Sequence, residues 1–324
     1  MKGLYVLDQN SFDLLYGPAE RDAIAERVEI YGPLQTAEML KENPAILQEA
    51  EAIFSGWGCP VLGEELLQTA PNLKVVFYAA GSIKYFVTEA FWQRGIQISS
   101  GWVAMGIPVV EYSLAQILYG LKSGYQQALN CRKERAFARL PAAGAFGSTV
   151  GLISLGSIGR MLADRLKTFE VNIIAYDPYV PAYPGVTMVS LNEVFQRADV
   201  VSLHTPWLKE TEGMIRGAHL AMMKRFSTFI NTARGAVVRE VEMIEVLRQR
   251  PDLMAVLDVT YPEPPVPESP LYDLPNVILT PHIAGPVGLE CHRQGQYMLA
   301  ELKHYQAGEP LQYGLTREQV RIMA

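Results

Sequence analysis

Short apolar runs separated by amphipathic stretches recur along the whole chain. In the first hundred residues the runs 4–7, 28–31, 52–54, 75–78 and 96–98 have the length and continuity of strands buried on both faces. Segments 18–27 and 64–69 between them read as helices. The pattern resumes after residue 148. Runs at 150–154, 171–176, 187–189, 199–203, 227–231, 253–257 and 277–279 read as strands, with helices at 191–197 and 237–248, the latter stopped by Pro251. Strands alternating with helices predict parallel sheets with helices on their faces. Between the two series a helix is expected from Pro108, suited to a first turn, to about Gly124, burying Val110, Leu114, Ile117, Leu118 and Leu121. Residues 125–147 are less regular and end in PAAGAFGS, which reads as a boundary segment or arm.

The second series opens with the most informative stretch, residues 149–177, TVGLISLGSIGRMLADRLKTFEVNIIAYD. An apolar strand leads into a turn holding Gly156, Ser157, Ile158 and Gly159. Ile158, Met161, Leu162, Leu166 and Phe169 then fall on one helical face, and a second strand ends at Asp177. This is the order of a dinucleotide-binding unit. Gly156 would admit a pyrophosphate close to the backbone, and Gly159 would let helix and strand pack closely. The helix N-terminus offers free N–H groups, and Asp177 accepts from ribose hydroxyls. The first glycine position of the fingerprint holds Ser154. A strand–turn–helix without a ligand fits the same residues, but the two strands, the helix and the acid at their separations favour a dinucleotide.

Composition narrows the classes. A chain of 324 residues suggests two domains, and 49% hydrophobic with 19% charged residues describes a folded globular protein. The net charge of −6 and the lack of any Lys/Arg block argue against nucleic acid. No apolar stretch is expected to approach the roughly 18–20 residues that cross a bilayer, and MKGLYVLDQNSF reads as a first strand, not a secretory signal. Cys59, Cys131 and Cys291 are widely spaced and form no CxxC pair. They point to packing roles in a reducing cytoplasm and to no metal site.

The strand ends carry the candidate chemistry. Those of the second series run into H-T-P, T-A-R-G, Asp258 and T-P-H. In the first series SGWG and AAGS place Gly56, Trp57, Gly81 and Ser82 at strand ends. Ligands of open parallel sheets bind beyond those ends, so these four are candidate substrate-binding residues, with plain turn glycines as the alternative. Arg234 offers a charged fork to a carboxylate. His282 can give or take a proton near neutrality, and Glu263, hydrogen-bonded to its other nitrogen, would fix the tautomer and favour the imidazolium. With a nicotinamide, the three suffice for hydride transfer to C2 of a 2-oxo acid; spacing alone leaves a surface arginine and a structural histidine as the alternatives. The proline-rich segment 262–270 reads as a rigid surface loop in preference to a ligand for a proline-binding module.

The segments GLISLGSIGRMLADRLKTF with YDP, DVVSLHTPWLKETEGMI, FINTARGAVV, LDVTYPEPP and LYDLPNVILTPHIAG, with VVEY more weakly, resemble the D-isomer-specific 2-hydroxyacid dehydrogenase family. That family includes the phosphoglycerate, glyoxylate/hydroxypyruvate and D-lactate dehydrogenases. The resemblance implies two Rossmann-like or flavodoxin-like parallel-sheet α/β domains with a cleft between them: a substrate domain from residues 1–101 plus 287–324 and an NAD-binding domain from 102–286. It implies Arg234, Glu263 and His282 as catalytic residues, Arg234 and His282 also meeting substrate and cofactor. Gly156, Ser157, Ile158, Gly159, Asp177, His204, Thr205, Pro206, Thr232, Ala233, Asp258, Ala284 and Gly285 would line the cofactor site, and the amides at Gly81 and Ser82 the substrate carboxylate. It further implies a homodimer through about residues 108–147. Asp177, with no arginine beside it, favours NAD over NADP. Ser154, Trp57, AAGSIKY and SGWVAMGI depart from the family pattern, so the substrate pocket is atypical and no particular acid is implied. Family relatives that act as NADH-sensing corepressors give the alternative reading, a binding protein with little turnover. The intact Arg234–Glu263–His282 set leans towards catalysis, and formate or phosphite dehydrogenase chemistry is disfavoured by the substrate-side stretches.

Overall fold

Each expected strand forms within two residues of its place. The inner strands of both sheets are buried at every position, as continuous apolar runs covered on both faces should be, whereas the edge strands at 29–30 and 187–188 are partly exposed. The computed structural model describes residues 1–322. The first series comprises β1 (Lys2–Val6), α1 (Gln9–Leu15), α2 (Pro18–Ala25), β2 (Glu29–Ile30), α3 (Ala37–Glu42), β3 (Ala52–Ser55), α4 (Glu64–Thr69), β4 (Val75–Tyr78), α5 (Glu89–Gln93) and β5 (Gln97–Ser100). Two helices follow, α6 (Trp102–Leu121) and α7 (Gly124–Glu134). The second series is β6 (Thr149–Ile153), α8 (Ser157–Leu166), β7 (Asn172–Tyr176), β8 (Thr187–Met188), α9 (Leu191–Arg197), β9 (Val200–Leu203), α10 (Gly217–Ala221), β10 (Thr228–Asn231), α11 (Glu240–Gln249), β11 (Met254–Leu257) and β12 (Val277–Leu279). The helices α12 (His292–Gln306) and α13 (Arg317–Ile322) close the described chain.

Two compact units result. The first joins Met1–Gly106 to the segment from Pro286, and the second is Ile107–Gly285. The first unit holds a five-stranded parallel sheet in the order β2-β1-β3-β4-β5, a flavodoxin-like winding. The second holds seven parallel strands in the order β12-β11-β10-β9-β6-β7-β8, the doubly wound Rossmann order with one added edge strand. Alternate residues serve opposite faces. In β6, Val150 and Leu152 pack with Leu162 and Leu166 of α8, whereas Ile153 packs with Phe195 and Leu203 on the other side. Each such side chain removed from water contributes about 1.5–3 kcal/mol.

Four expectations need correction. The helix expected from Pro108 starts at Trp102 and carries Pro108 in its interior. A proline there removes one backbone hydrogen bond, which the packing of Trp102 and Met105 against the first unit's core offsets. Among the described residues this helix alone is long and apolar enough to cross a membrane by length and composition, contrary to the expectation of no such stretch. Its Ala104, Val110, Ile117 and Leu121 lie in protein cores instead. The segment 125–147 is also more ordered than expected at its start, where α7 forms. Finally, α11 begins at Glu240 and not Val237, because Val238 is drawn into a parallel bridge with Ile215, with Ile215 N donating to Val237 O and Arg239 N to Ile215 O.

Candidate functional site

In the second unit the strand order reverses at β6, which lies between β9 and β7, and the glycine turn leaves β6 there. Ser154 adopts φ +76°, in the left-handed region that the fingerprint's first glycine would occupy freely. Its hydroxyl meets the Thr205 hydroxyl, at the end of β9, at 2.8 Å, so the serine is held by the neighbouring strand end. A Cβ on Gly159 would stand 2.2 Å from the Ser154 carbonyl oxygen, so this helix–strand approach admits glycine only. A Cβ on Gly156 would meet nothing within 4 Å, and Gly156 caps α8 without a side-chain hydrogen bond. The first turn of α8, with Ser157 and Ile158, therefore presents free N–H groups to open space, the surroundings a pyrophosphate requires. Asp177 accepts from Leu155 N at 2.7 Å and from Tyr179 N at 2.8 Å, which ties the acid to the glycine turn.

Beyond β9, His204 Nε2 lies 2.9 Å from the Ser202 hydroxyl. Burial pulls its pKa down to about 4, so it is neutral near pH 7 and serves as a hydrogen-bonding, uncharged group. The carbonyl of Pro206 accepts from Thr211 and shapes the same loop. Beyond β10, Asn231 organises the turn that bears Arg234: its Oδ1 accepts from Ala233 N at 3.0 Å and its Nδ2 donates to Arg234 O at 3.2 Å. A Cβ on the next residue, Gly235, would lie 2.0 Å from the Thr260 carbonyl carbon. This glycine therefore sets the contact between the Arg234 turn and the loop leading to Glu263. Thr232 is buried and meets the Ser113 hydroxyl of α6 at 3.1 Å.

The three proposed catalytic side chains lie in this one unit. His282 Nδ1 and Glu263 Oε1 are 2.6 Å apart, both side chains partly open to solvent. With Nδ1 committed to the carboxylate, Nε2 is the nitrogen left to exchange a proton. Burial pulls the Arg234 pKa down while the Glu263 carboxylate pulls it up, which places Glu263 in the field of the arginine as well. The guanidinium stays charged at any working pH. Asp258, 2% exposed, accepts from the Thr280 hydroxyl, Ile283 N and Ala284 N. Its carboxylate thus shapes the loop around His282, leaving Oδ2 one further acceptor position. Ala284 is buried, and Gly285 has open space beside it.

The remaining four candidates belong to the first unit. Gly56 is buried with a Cβ position 2.2 Å from Leu15 Cδ1, so packing accounts for this glycine, and the substrate-binding expectation gains no support from its surroundings. Trp57 accepts Asp8 N through its carbonyl and packs its ring on both cores of the unit. The Ser100 hydroxyl lies 2.8 and 2.6 Å from the carbonyl oxygens of Ala80 and Gly81 and draws them inward. Among the described residues no group accepts from the Gly81 or Ser82 amide. Pattern reading misses Ser100, Tyr112, Ser113, Asn231 and Gly235. The only signal for them is adjacency to a motif: NTARG holds Asn231 and Gly235, and VVEYS holds Tyr112 and Ser113.

Comparison with known proteins bears on the same unit. Residues 114–284 match the family model described as D-isomer specific 2-hydroxyacid dehydrogenase, NAD binding domain. A D-3-phosphoglycerate dehydrogenase of Archaeoglobus fulgidus is 33% identical over 263 residues, covering 79% of this chain and 49% of that protein. The chain thus spans about half the length of the curated relatives it matches. The crystal structure of the TT0316 protein from Thermus thermophilus superposes with a TM-score of 0.75 at 27% identity, covering 98% of this chain and 100% of the other. A D-isomer specific 2-hydroxyacid dehydrogenase from Lactobacillus delbrueckii ssp. bulgaricus, in an NAD-complexed form, shares the fold with a TM-score of 0.80 at 22% identity, covering 98% and 100%. The chain belongs to the D-isomer-specific 2-hydroxyacid dehydrogenase family and carries its nicotinamide-dinucleotide-binding domain.

Proposed function

We propose that the protein is an NAD(H)-dependent oxidoreductase acting on a small D-2-hydroxy acid or its 2-oxo acid. The observation that carries this reading is the 2.6 Å pairing of His282 Nδ1 with Glu263, in the field of Arg234, in the unit that carries the dinucleotide fingerprint. Open space beside Gly156, the uncapped start of α8 and Asp177 fit a dinucleotide. When bound, the nicotinamide supplies or takes the hydride at C2. Arg234 binds and orients the substrate's carboxylate and carbonyl oxygen. His282 gives that oxygen a proton from Nε2 in the reducing direction and takes it back in the other. Glu263 holds the imidazole in register and balances its charge while protonated. The free amides at Gly81 and Ser82 support a carboxylate-binding role for the first unit, the substrate domain in this reading. An acid at Asp177 repels a 2′-phosphate, which favours NAD over NADP.

A screen of 2-oxo acids with NADH and with NADPH tests the reading. We expect turnover with NADH, a loss of about 10²–10⁴-fold in kcat for His282→Ala, and unchanged NADH affinity in that variant. Tight NADH binding with no turnover of any acid would replace the enzyme by a dinucleotide-sensing protein. The unpaired Cys59, Cys131 and Cys291 support a reducing, cytoplasmic location. A homodimer through residues 108–147 is supported by the exposed Phe137 and Phe146 in that segment.

A further inference from the structure

We infer that Tyr112 of α6 is a positioning residue for His282, acting through a directed relay of hydrogen bonds that runs Tyr112–Thr280–Asp258. The inference rests on the proposed proton-transfer role of His282. His282 has φ +54°, a left-handed conformation that a non-glycine residue adopts only under strain, so the loop must be held from outside. Two strand ends hold it. His282 N donates to the carbonyls of Asp258 and Thr280, both at 3.0 Å. The Asp258 carboxylate takes Ile283 N at 2.9 Å, Ala284 N at 2.8 Å and the Thr280 hydroxyl at 2.6 Å. The residues on either side of His282 are thereby tied to one buried carboxylate.

The direction of the last link follows from the proton count. Thr280 has a single hydroxyl proton and gives it to a carboxylate that can only accept. The 2.8 Å contact between the Thr280 and Tyr112 hydroxyls must then have the tyrosine as donor. Burial raises the Tyr112 phenol's pKa, so the proton needed for this bond stays in place. The neighbouring Ser113 meets Thr232, in the turn that bears Arg234. Successive residues of one 20-residue helix thus fix the ends of β12 and β10, the two strands that lead to His282 and Arg234. A site held from a rigid helix keeps its geometry better than one held from loops, and small misplacement of a reacting group is costly.

The test compares wild type with Tyr112→Phe, Thr280→Val, Thr280→Ser and the Tyr112→Phe/Thr280→Val double variant, each as the full chain. Readouts are kcat, KM, the Kd for NADH, thermal midpoint and hydrogen exchange at the Ile283 and Ala284 amides. Tyr112→Phe is expected to lower kcat about 10-fold, Thr280→Val at least as much, and the double variant no more than Thr280→Val alone, because the groups act in series. The NADH Kd stays within about twofold, and Thr280→Ser, which keeps the hydroxyl, stays near wild type. Amide exchange at Ile283 and Ala284 rises about 10-fold in Tyr112→Phe with β11 unchanged. Wild-type kcat in Tyr112→Phe, or additive losses in the double variant, would overturn the relay. If wild type turns over no 2-oxo acid, the functional reading fails by itself, and exchange at the two amides decides the relay without substrate.

Discussion

Ser154 shows how one residue reconciles an incomplete motif with an intact turn. The left-handed backbone at φ +76° that suits glycine costs serine on the order of 1–2 kcal/mol. The buried hydroxyl recovers part of this through its 2.8 Å contact with Thr205, a bond of about 0.5–1.5 kcal/mol net. The two effects are of similar size and opposite sign. Ser154→Gly is therefore expected to unfold in urea within about 1 kcal/mol of wild type. Ser154→Ala keeps the strained Cβ and orphans Thr205, so it should lose about 1–2 kcal/mol. An alanine variant as stable as the glycine variant would show that the hydroxyl pair contributes nothing.

At the scale of elements, two glycines at the ends of parallel strands divide the work between ligand and fold. Gly156 faces open space, whereas Gly235 touches the Thr260 backbone, with a hypothetical Cβ at 2.0 Å from its carbonyl carbon. Gly156→Ala should melt as wild type and bind NADH at least about 10-fold more weakly, because the methyl occupies the space offered to the pyrophosphate. Gly235→Ala should lower the thermal midpoint and turnover together, because the loop carrying Glu263 must move. Equal melting of the two variants, measured beside NADH fluorescence titration, would contradict this division. The glycine turn, the strand ends and Asp177 are legible in the sequence because strand period and glycine spacing are local properties. Pro108 reads locally as a helix start, yet a proline's local preference yields to burial of Ala104 and its neighbours. Tyr112, Ser113 and Asn231 act through hydrogen bonds, and the two hydroxyl contacts span 168 and 119 positions, a separation that no periodicity records.

For the whole molecule, both sheets follow windings that present ligands beyond their strand ends, and neither winding needs the segment after α7. Residues 135–147 form no regular element, yet they hold Phe137 at 99% and Phe146 at 81% exposure. Tyr119 and Leu129, on α6 and α7, are also exposed. Leaving the two phenylalanine rings in water forgoes about 1.5–3 kcal/mol each relative to burial, a gain that a contact would recover. A second copy of the chain is the proposed occupant. Sedimentation at micromolar concentration should then show a dimer, and Phe137→Asp combined with Phe146→Asp should give a monomer whose circular dichroism and NADH binding are unchanged, since neither side chain supports a core or lies in the glycine turn. Because dimerisation stabilises by mass action, the wild-type thermal midpoint should rise with protein concentration and that of the double variant should not. A wild-type chain that sediments as a monomer, with a midpoint independent of concentration, would leave the two phenylalanines without this partner.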